Sequence, residues 1–324
     1  MKLSVIRRTT LALISLCLSA GIAIAQTKRD RERANLSGVV KTVQERSYSY
    51  MGMTDYKKDN EKDRKFDTGD TVTYDKQGNE IERIMVSDYG ELMGKQTQKF
   101  DTSGLLQETI FLNPKGAVQE RVAYSYSHGK LTQKSTYDGK GVLRLKTVNY
   151  YDAKGDLQEE VYSDPTVARA KTVFKFDSNH KLLEAAFFLS NGEKGYAVVG
   201  PCLGAHRLTY TYDENGRPST KSVFESDGKE KKSWTYIYDQ RGNQAKQTMR
   251  SKWSTTIYDF KYEYDLVGNW IRLTTTDEEK DSISESLLQT MMKAEGKTAS
   301  PEELREINEK TKMTRVTTRT ITYY

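Results

Sequence analysis

One turn sequence recurs along this chain at a nearly constant interval, and that interval constrains the fold more than any other feature. "YDKQG" ends at Gly78, "FDTSG" at Gly104, "YSHG" at Gly129 and "YDAKG" at Gly155. "FDSNH" follows, ending at His180, then "YDENG" at Gly216, "YDQRG" at Gly242 and "YDLVG" at Gly268. The spacing is about 26 residues, except that one unit has absorbed about ten more. Intermediate turns at Gly90, Gly116, Gly141, Pro165, Gly192 and Gly228 divide every interval but the last. Each unit is therefore two strands and two turns, which makes the chain a series of about eight antiparallel hairpins.

The repeated Asp-x-x-Gly has a physical reason. Asp at the first turn position accepts a hydrogen bond from a backbone N–H two residues on, and Gly at the fourth tolerates positive φ. The geometry suits a type I turn closed by a glycine bulge. Metal binding is the sharper reading, but these turns lack the ligand density of a calcium loop. We read them as turn chemistry, with no metal and no cofactor expected.

The motif resembles the tyrosine-aspartate (YD) repeat of the bacterial RHS and wall-associated protein group. The resemblance covers roughly residues 71–275. It rests on aromatic-Asp-x-x-Gly followed by an apolar residue at Leu106, Leu131, Leu157 and Leu182; "YTYDENGRP" and "YEYDLVGNW" match best. It implies an extracellular β-rich repeat array, with roles in carbohydrate binding or in enclosing a secreted toxin. The carboxy-terminal autoproteolytic motif of toxin-carrying members is not visible, so the chain looks more like the small exported members.

"MKLSVIRRTTLALISLCLSAGIAIAQ" has basic residues ahead of an apolar run that ends in Ala23-Ile24-Ala25. This pattern predicts a secretory signal peptide over residues 1–25, cleaved after Ala25, and hence a secreted or periplasmic protein. A lipoprotein would need a small residue before Cys17, where Leu16 stands. No later segment is apolar enough for a membrane helix. Lys2, Arg7 and Arg8 supply three of the positive charges behind the net +6, and the rest of the chain mixes both signs. Nothing in that mixture predicts nucleic-acid binding. Once Cys17 leaves with the signal, Cys202 has no disulfide partner.

Residues 26–35 read as a solvated charged leader, and 36–324 as a single YD-repeat domain whose first strand starts at Leu36 and whose polar loop runs to about Asp70. Ile283, Leu287, Leu288, Met291 and Met292 have helical spacing, and Ser300-Pro301-Glu302-Glu303 is a capping box. The spacing predicts two helices over about 281–311, inserted into a last hairpin of "NWIRLTTT" against "TRVTTRTITYY", the final strand being about 313–324.

In "YDFKYEYD", residues 258–265, aromatics alternate with charges as on a strand with one aromatic face. Paired aromatics recur at Tyr124/Tyr126, Phe174/Phe176, Tyr210/Tyr212, Tyr236/Tyr238 and Tyr262/Tyr264, with Trp234 beside Tyr236. An isolated hairpin is marginal in water, so this face should supply the core, and some of its rings a sugar-stacking surface. Trp234, Tyr236, Tyr238, Trp253, Tyr262 and Tyr264 are the candidate ligand-binding residues. A sheet of about 16 strands does not stay flat. The expected fold is all-β: a curled antiparallel β-hairpin repeat array, a barrel-like or solenoid-like meander. An outer-membrane barrel needs an apolar face on each strand, and "KLTQKSTYD" and "LMGKQTQKF" are polar on both.

The chain carries no HExxH, GxSxG, paired-Cys spacing or phosphate loop. The Gly-rich insertion Asn191 to Leu208 holds Cys202 and His206, which together could form a thiol nucleophile and its base; the plainer reading is a surface loop with a solvated histidine. The functional expectation is a non-enzymatic, exported binding or envelope-associated protein with glycans or surface polymers as partners. The alternatives are an enzyme built on Cys202 and His206, and a structural shell or spacer of a toxin system.

Overall fold

A computed structural model describes residues 30–51, 67–87, 90–163, 170–189, 191–195, 205–252, 254–280 and 313–324. The segment expected to be a signal peptide, Cys202, Trp253 and the two helices expected over 281–311 lie outside the described residues. Among the described residues one helical turn, α1 (Asp30–Arg33), precedes 18 strands. They are β1 (Val40–Met51), β2 (Asp67–Tyr74), β3 (Glu80–Val86), β4 (Leu92–Phe100), β5 (Leu106–Leu112) and β6 (Val118–Ser127). Next come β7 (Lys130–Asp138), β8 (Leu143–Tyr151), β9 (Leu157–Ser163), β10 (Ala170–Phe176), β11 (Leu182–Leu189) and β12 (Arg207–Tyr212). The last are β13 (Pro218–Phe224), β14 (Glu230–Tyr238), β15 (Gln244–Ser251), β16 (Thr255–Tyr264), β17 (Trp270–Lys280) and β18 (Met313–Tyr323). All are antiparallel members of a hairpin meander.

The turns follow from their sequence. In the Gly268 turn, Asp265 Oδ1 accepts the N–H groups of Val267 and Asn269 at 3.0 and 2.8 Å. The backbone closes twice, Gly268 N–H onto Asp265 O and Asp265 N–H onto Asn269 O. Asp101, Asp152 and Asp239 repeat the pattern at 2.8 to 2.9 Å. These carboxylates hold their own backbone, and each strand that enters such a turn carries a register shift one residue before its Asp, as at Glu263/Tyr264.

Two compact units are distinguished, one formed by residues 124–135 and 143–231, the other by 26–123, 136–142 and 232–324. In the first, β8 to β13 pair in chain order. Phe174, Ala185, Leu208 and Val223 stand opposite one another across four strands, and all are buried. The neighbouring row is polar: Asn149, Glu160 and Thr172 face each other, likewise buried.

In the second unit β14 to β16 continue into the hairpin of β17 with β18, and β18 then pairs with β1 over most of its length. β1 pairs in turn with β2, so the last strand returns to the first. A barrel-like meander requires that return, and a linear solenoid does not provide it. Neither β1 nor β18 is left as an open edge, and β2 to β6 follow in order.

The described part of the leader, residues 30–35, is docked on the fold and not simply solvated. Asp30 Oδ2 accepts the Glu80 N–H at 2.8 Å, Arg31 N–H donates to Gly78 O at 2.9 Å, and Asn269 clasps both backbone groups of Ser37. Leu36 thereby enters a core cluster with Val40, Val43, Val72 and Tyr74. Burial of that leucine and the turn contacts outweigh the solvation of the adjoining charges, which remain exposed at Glu32 and Arg33.

Consecutive turns are also tied to each other. Strands joined by intermediate turns stop pairing before they reach the edge that carries the Asp-x-x-Gly turns; the pairing of β9 with β10 ends at Val173 opposite Glu159, and that of β11 with β12 at Glu184 opposite Thr209. Side chains bridge the resulting gaps. Tyr151 donates its hydroxyl to Leu131 O at 2.8 Å, and Lys130 lies 5.2 Å over that ring and reaches Gly155 O. Tyr212 donates to Leu182 O at 2.6 Å, under Lys181 at 5.5 Å. In the other unit Asn243 donates to the Tyr264 hydroxyl and Asn269 to that of Tyr323.

Candidate functional site

The aromatic residues singled out in the sequence occupy one face of β14 to β17. Strand register places Tyr236 opposite Gln247 and Gln247 opposite Tyr258, with Trp234 opposite Met249 and Tyr264 opposite Trp270. The two candidate groups, Trp234/Tyr236/Tyr238 and Tyr262/Tyr264, therefore lie on strands separated by β15, with Gln244 and Gln247 between them. Gln247 is buried and accepts from Gln244 Nε2 at 2.9 Å. All five rings are half-buried, so this face is less sealed than a core would be.

Tyr262 sits at the centre. Its ring stacks obliquely on Tyr264 and meets Trp270 edge-on, centroids 6.2 Å apart in both pairs. Its hydroxyl donates to Gln244 O at 3.1 Å, and burial pushes the phenol up to about 12. Trp270 is covered by the Arg319 guanidinium at 3.4 Å from the ring centroid, and Arg319 pairs with Glu45 at 2.6 Å. Arg319 Nη1 is buried and has no hydrogen-bond partner among the described residues. Burial lowers the affinity of Arg319 for its proton, and the Glu45 carboxylate opposes that loss.

Other ring faces are also occupied by cations. Arg241 lies 4.0 Å over Tyr264 and Lys232 5.5 Å over Trp234. Further round the same unit, Arg83 is held by both oxygens of Glu80 and by Asp70 at 2.7 to 3.1 Å. Burial raises the Glu80 carboxyl despite that pairing. The arrangement combines aromatic rings with amide, carboxylate and guanidinium groups, the chemistry of polar-ligand recognition.

Arg319, Glu45, Arg241 and Trp270 were missed at the sequence level. A signal existed: Arg315, Thr317, Arg319 and Ile321 alternate on β18, which puts Arg319 on the face of Ile321, a neighbour of the core. His206 is not solvated. It is buried, its Nδ1 lies 3.1 Å from Gly195 O, and its ring meets Phe188 edge-on at 5.7 Å. Among the described residues no group of His, Cys, Asp or Glu side chains could hold a metal ion, and no helix is long and apolar enough to cross a membrane.

No protein-family model and no curated protein matches the chain. Among solved structures, it is similar to a porin-like protein from Bacteroides uniformis, 10% identical, over 88% of this chain and 99% of that one with a TM-score of 0.41. It is also similar to TcdB2-TccC3, at 14% identity and a TM-score of 0.22, over 69% of this chain and 18% of that one. The Tc holotoxin pore from Photorhabdus luminescens is 14% identical over 66% of this chain and 17% of that one, with a TM-score of 0.20.

Proposed function

We propose that this chain is a short exported YD-type repeat protein, non-enzymatic, which binds carbohydrate or a surface polymer at the cell envelope or outside the cell. The observation that carries the reading is the half-buried aromatic face of β14 to β17, where Gln244 and Gln247 lie between the rings and Arg319 of β18, paired with Glu45 of β1, covers Trp270. Rings offer apolar faces and the polar groups offer directed hydrogen bonds, the pairing that a sugar requires. Export rests on the N-terminal basic and apolar pattern, and the repeat family on the turn motif.

A structural spacer is the second reading. Arg319 on Trp270, Arg241 on Tyr264 and Lys232 on Trp234 occupy ring faces on which a sugar would stack. Retention of the purified protein on cell-wall and polysaccharide matrices, with Tyr236→Ala alongside, separates the two. Saturable retention that the folded variant loses supports the binding module. Retention on no matrix decides for the spacer.

A further inference from the structure

In the unit formed by residues 124–135 and 143–231, the ties between consecutive turns change character at one gap. The residue before each turn Asp sits opposite the second residue after the turn: Tyr151 opposite Leu157, Phe176 opposite Leu182, Tyr212 opposite Pro218. Tyr151 and Tyr212 use that position to send a hydroxyl back to the preceding hairpin, onto Leu131 O and Leu182 O. The equivalent acceptor for position 176 is Leu157 O. Phenylalanine has no hydroxyl to give it.

The second tie differs as well. The residue after the last turn position is a lysine where it covers a tyrosine, as at Lys130 after Gly129 and Lys181 after His180. In the Phe176 gap that position is Asp156, which turns to His180 at 2.7 Å. His180 itself stands where the other turns have glycine, with φ at 61°.

At this gap there is a cleft of about 440 Å³, within the usual range for small-molecule sites. It is lined by Asp152, Asp156, Asp177, Gln158, Phe174 and Phe176 among others; Oδ1 of Asp152 and Oδ1 of Asp177 each accept two N–H groups of their own turn, so it is the second oxygen of each that is left for a ligand. Lys154 and Lys175 flank it, and Lys175 is paired with Glu184 at 2.8 Å. Carboxylates outnumber cations, so the cleft is rich in hydrogen-bond acceptors above an aromatic floor. Hydroxyl groups donate readily to carboxylates, and the C–H face of a pyranose packs on a ring.

We propose that the Phe176 gap is a sugar-binding subsite: a pyranose lays its apolar face on Phe176 and donates ring hydroxyls to Asp152, Asp156 and Asp177. The ligand class rests on the reading given under Proposed function; the location does not.

Phe176→Tyr is the decisive variant, because the added hydroxyl would be placed to donate to Leu157 O, as Tyr151 and Tyr212 donate to theirs, and would put a polar group and a cross-gap tie at the ring on which the sugar is to lie. Calorimetric titration of the full protein with soluble cello-, malto- and chito-oligosaccharides is the measurement. The expected result is binding by the wild type, at least tenfold weaker binding by Phe176→Tyr, and a rise in Tm for that variant. Binding within twofold of wild type by Phe176→Tyr places any sugar site elsewhere and overturns the proposal, while the glycan reading survives. No binding by the wild type overturns both. If Phe176→Tyr lowers Tm, Asp156→Asn decides by the same tenfold and twofold limits.

Discussion

Tyr212 donates its hydroxyl to Leu182 O at 2.6 Å across a gap where β11 and β12 have already ceased to pair. The tyrosine of the YD motif thus serves the preceding hairpin as well as its own turn. The carbonyl it satisfies would otherwise lack that partner in a half-buried position, a deficit of about 1 kcal/mol or more.

Tyr212→Phe is expected to lower stability by about 1 kcal/mol, or roughly 2 to 4 °C in Tm for a chain of this size. Lys181 keeps a ring to cover, so the loss isolates the hydroxyl. Thermal unfolding followed by circular dichroism measures it, and an unchanged Tm would remove the turn-to-turn tie from the account of stability.

Gly69 is required by close approach. A Cβ there would sit 2.1 Å from Glu45 O, a backbone atom of the neighbouring strand. Gly69→Ala therefore has to force β1 and β2 apart, at the upper end of the roughly 1–3 kcal/mol of overpacking. At Gly116 a Cβ meets nothing within 4 Å, and only its φ of 79° opposes a side chain. Gly116→Ala is expected to cost less, about 1 kcal/mol. Urea titrations of the two variants in parallel would show this ordering; the reverse ordering would be incompatible with the strand contact.

Arg319 joins Trp270 to Glu45, and its side chain is 12% exposed. Arg319→Ala should lose about 2 kcal/mol, since it removes a stacked cation and leaves Glu45 without that partner. Arg319→Lys is expected to recover less than half of this, because an ammonium lacks the planar fork that stacks and pairs at once. Urea unfolding monitored by tryptophan fluorescence reads both; full recovery by lysine would mean that charge alone matters there.

Glu160 is buried, and desolvation raises its carboxyl above the ordinary range, opposed by the Tyr162 hydroxyl that donates to it and more weakly by Lys134. A raised carboxyl means that the folded state holds a proton after the unfolded state has released it. Stability from this group is present below the ordinary carboxylate range and is lost as pH rises through the folded value. Glu160→Gln should abolish that loss, so its stability relative to wild type should be greater at pH 7 than at pH 4. A difference independent of pH would show that Glu160 titrates normally.

Much of the fold was legible because its signals are local. Asp265 and Gly268 specify a turn whose hydrogen bonds close within five residues, and strict alternation in Tyr258 to Asp265 needs only the pleat to place the rings on one face. The candidate site was half legible for the same reason: Tyr262 and Tyr264 were found, while Arg319, 55 residues beyond Tyr264 in sequence, was not. Its role comes from β18 lying beside β17, and a strand pattern does not say which strand its neighbour is. His206 was misjudged because its loop was read as solvent-facing, whereas Gly195 O and Phe188 enclose it.

By itself the amino-acid sequence determined the repeating hairpin, the turn geometry at each Asp-x-x-Gly and the aromatic side of the strands that carry paired rings, since each depends on residues close together in the chain. Tertiary structure decided the return of β18 to β1, the docking of Leu36 and Asn269 at the turn edge, and the stacking of Arg319 on Trp270. Those contacts join residues far apart in sequence. Their free energies depend on which surfaces the whole meander brings together, and no local pattern encodes that.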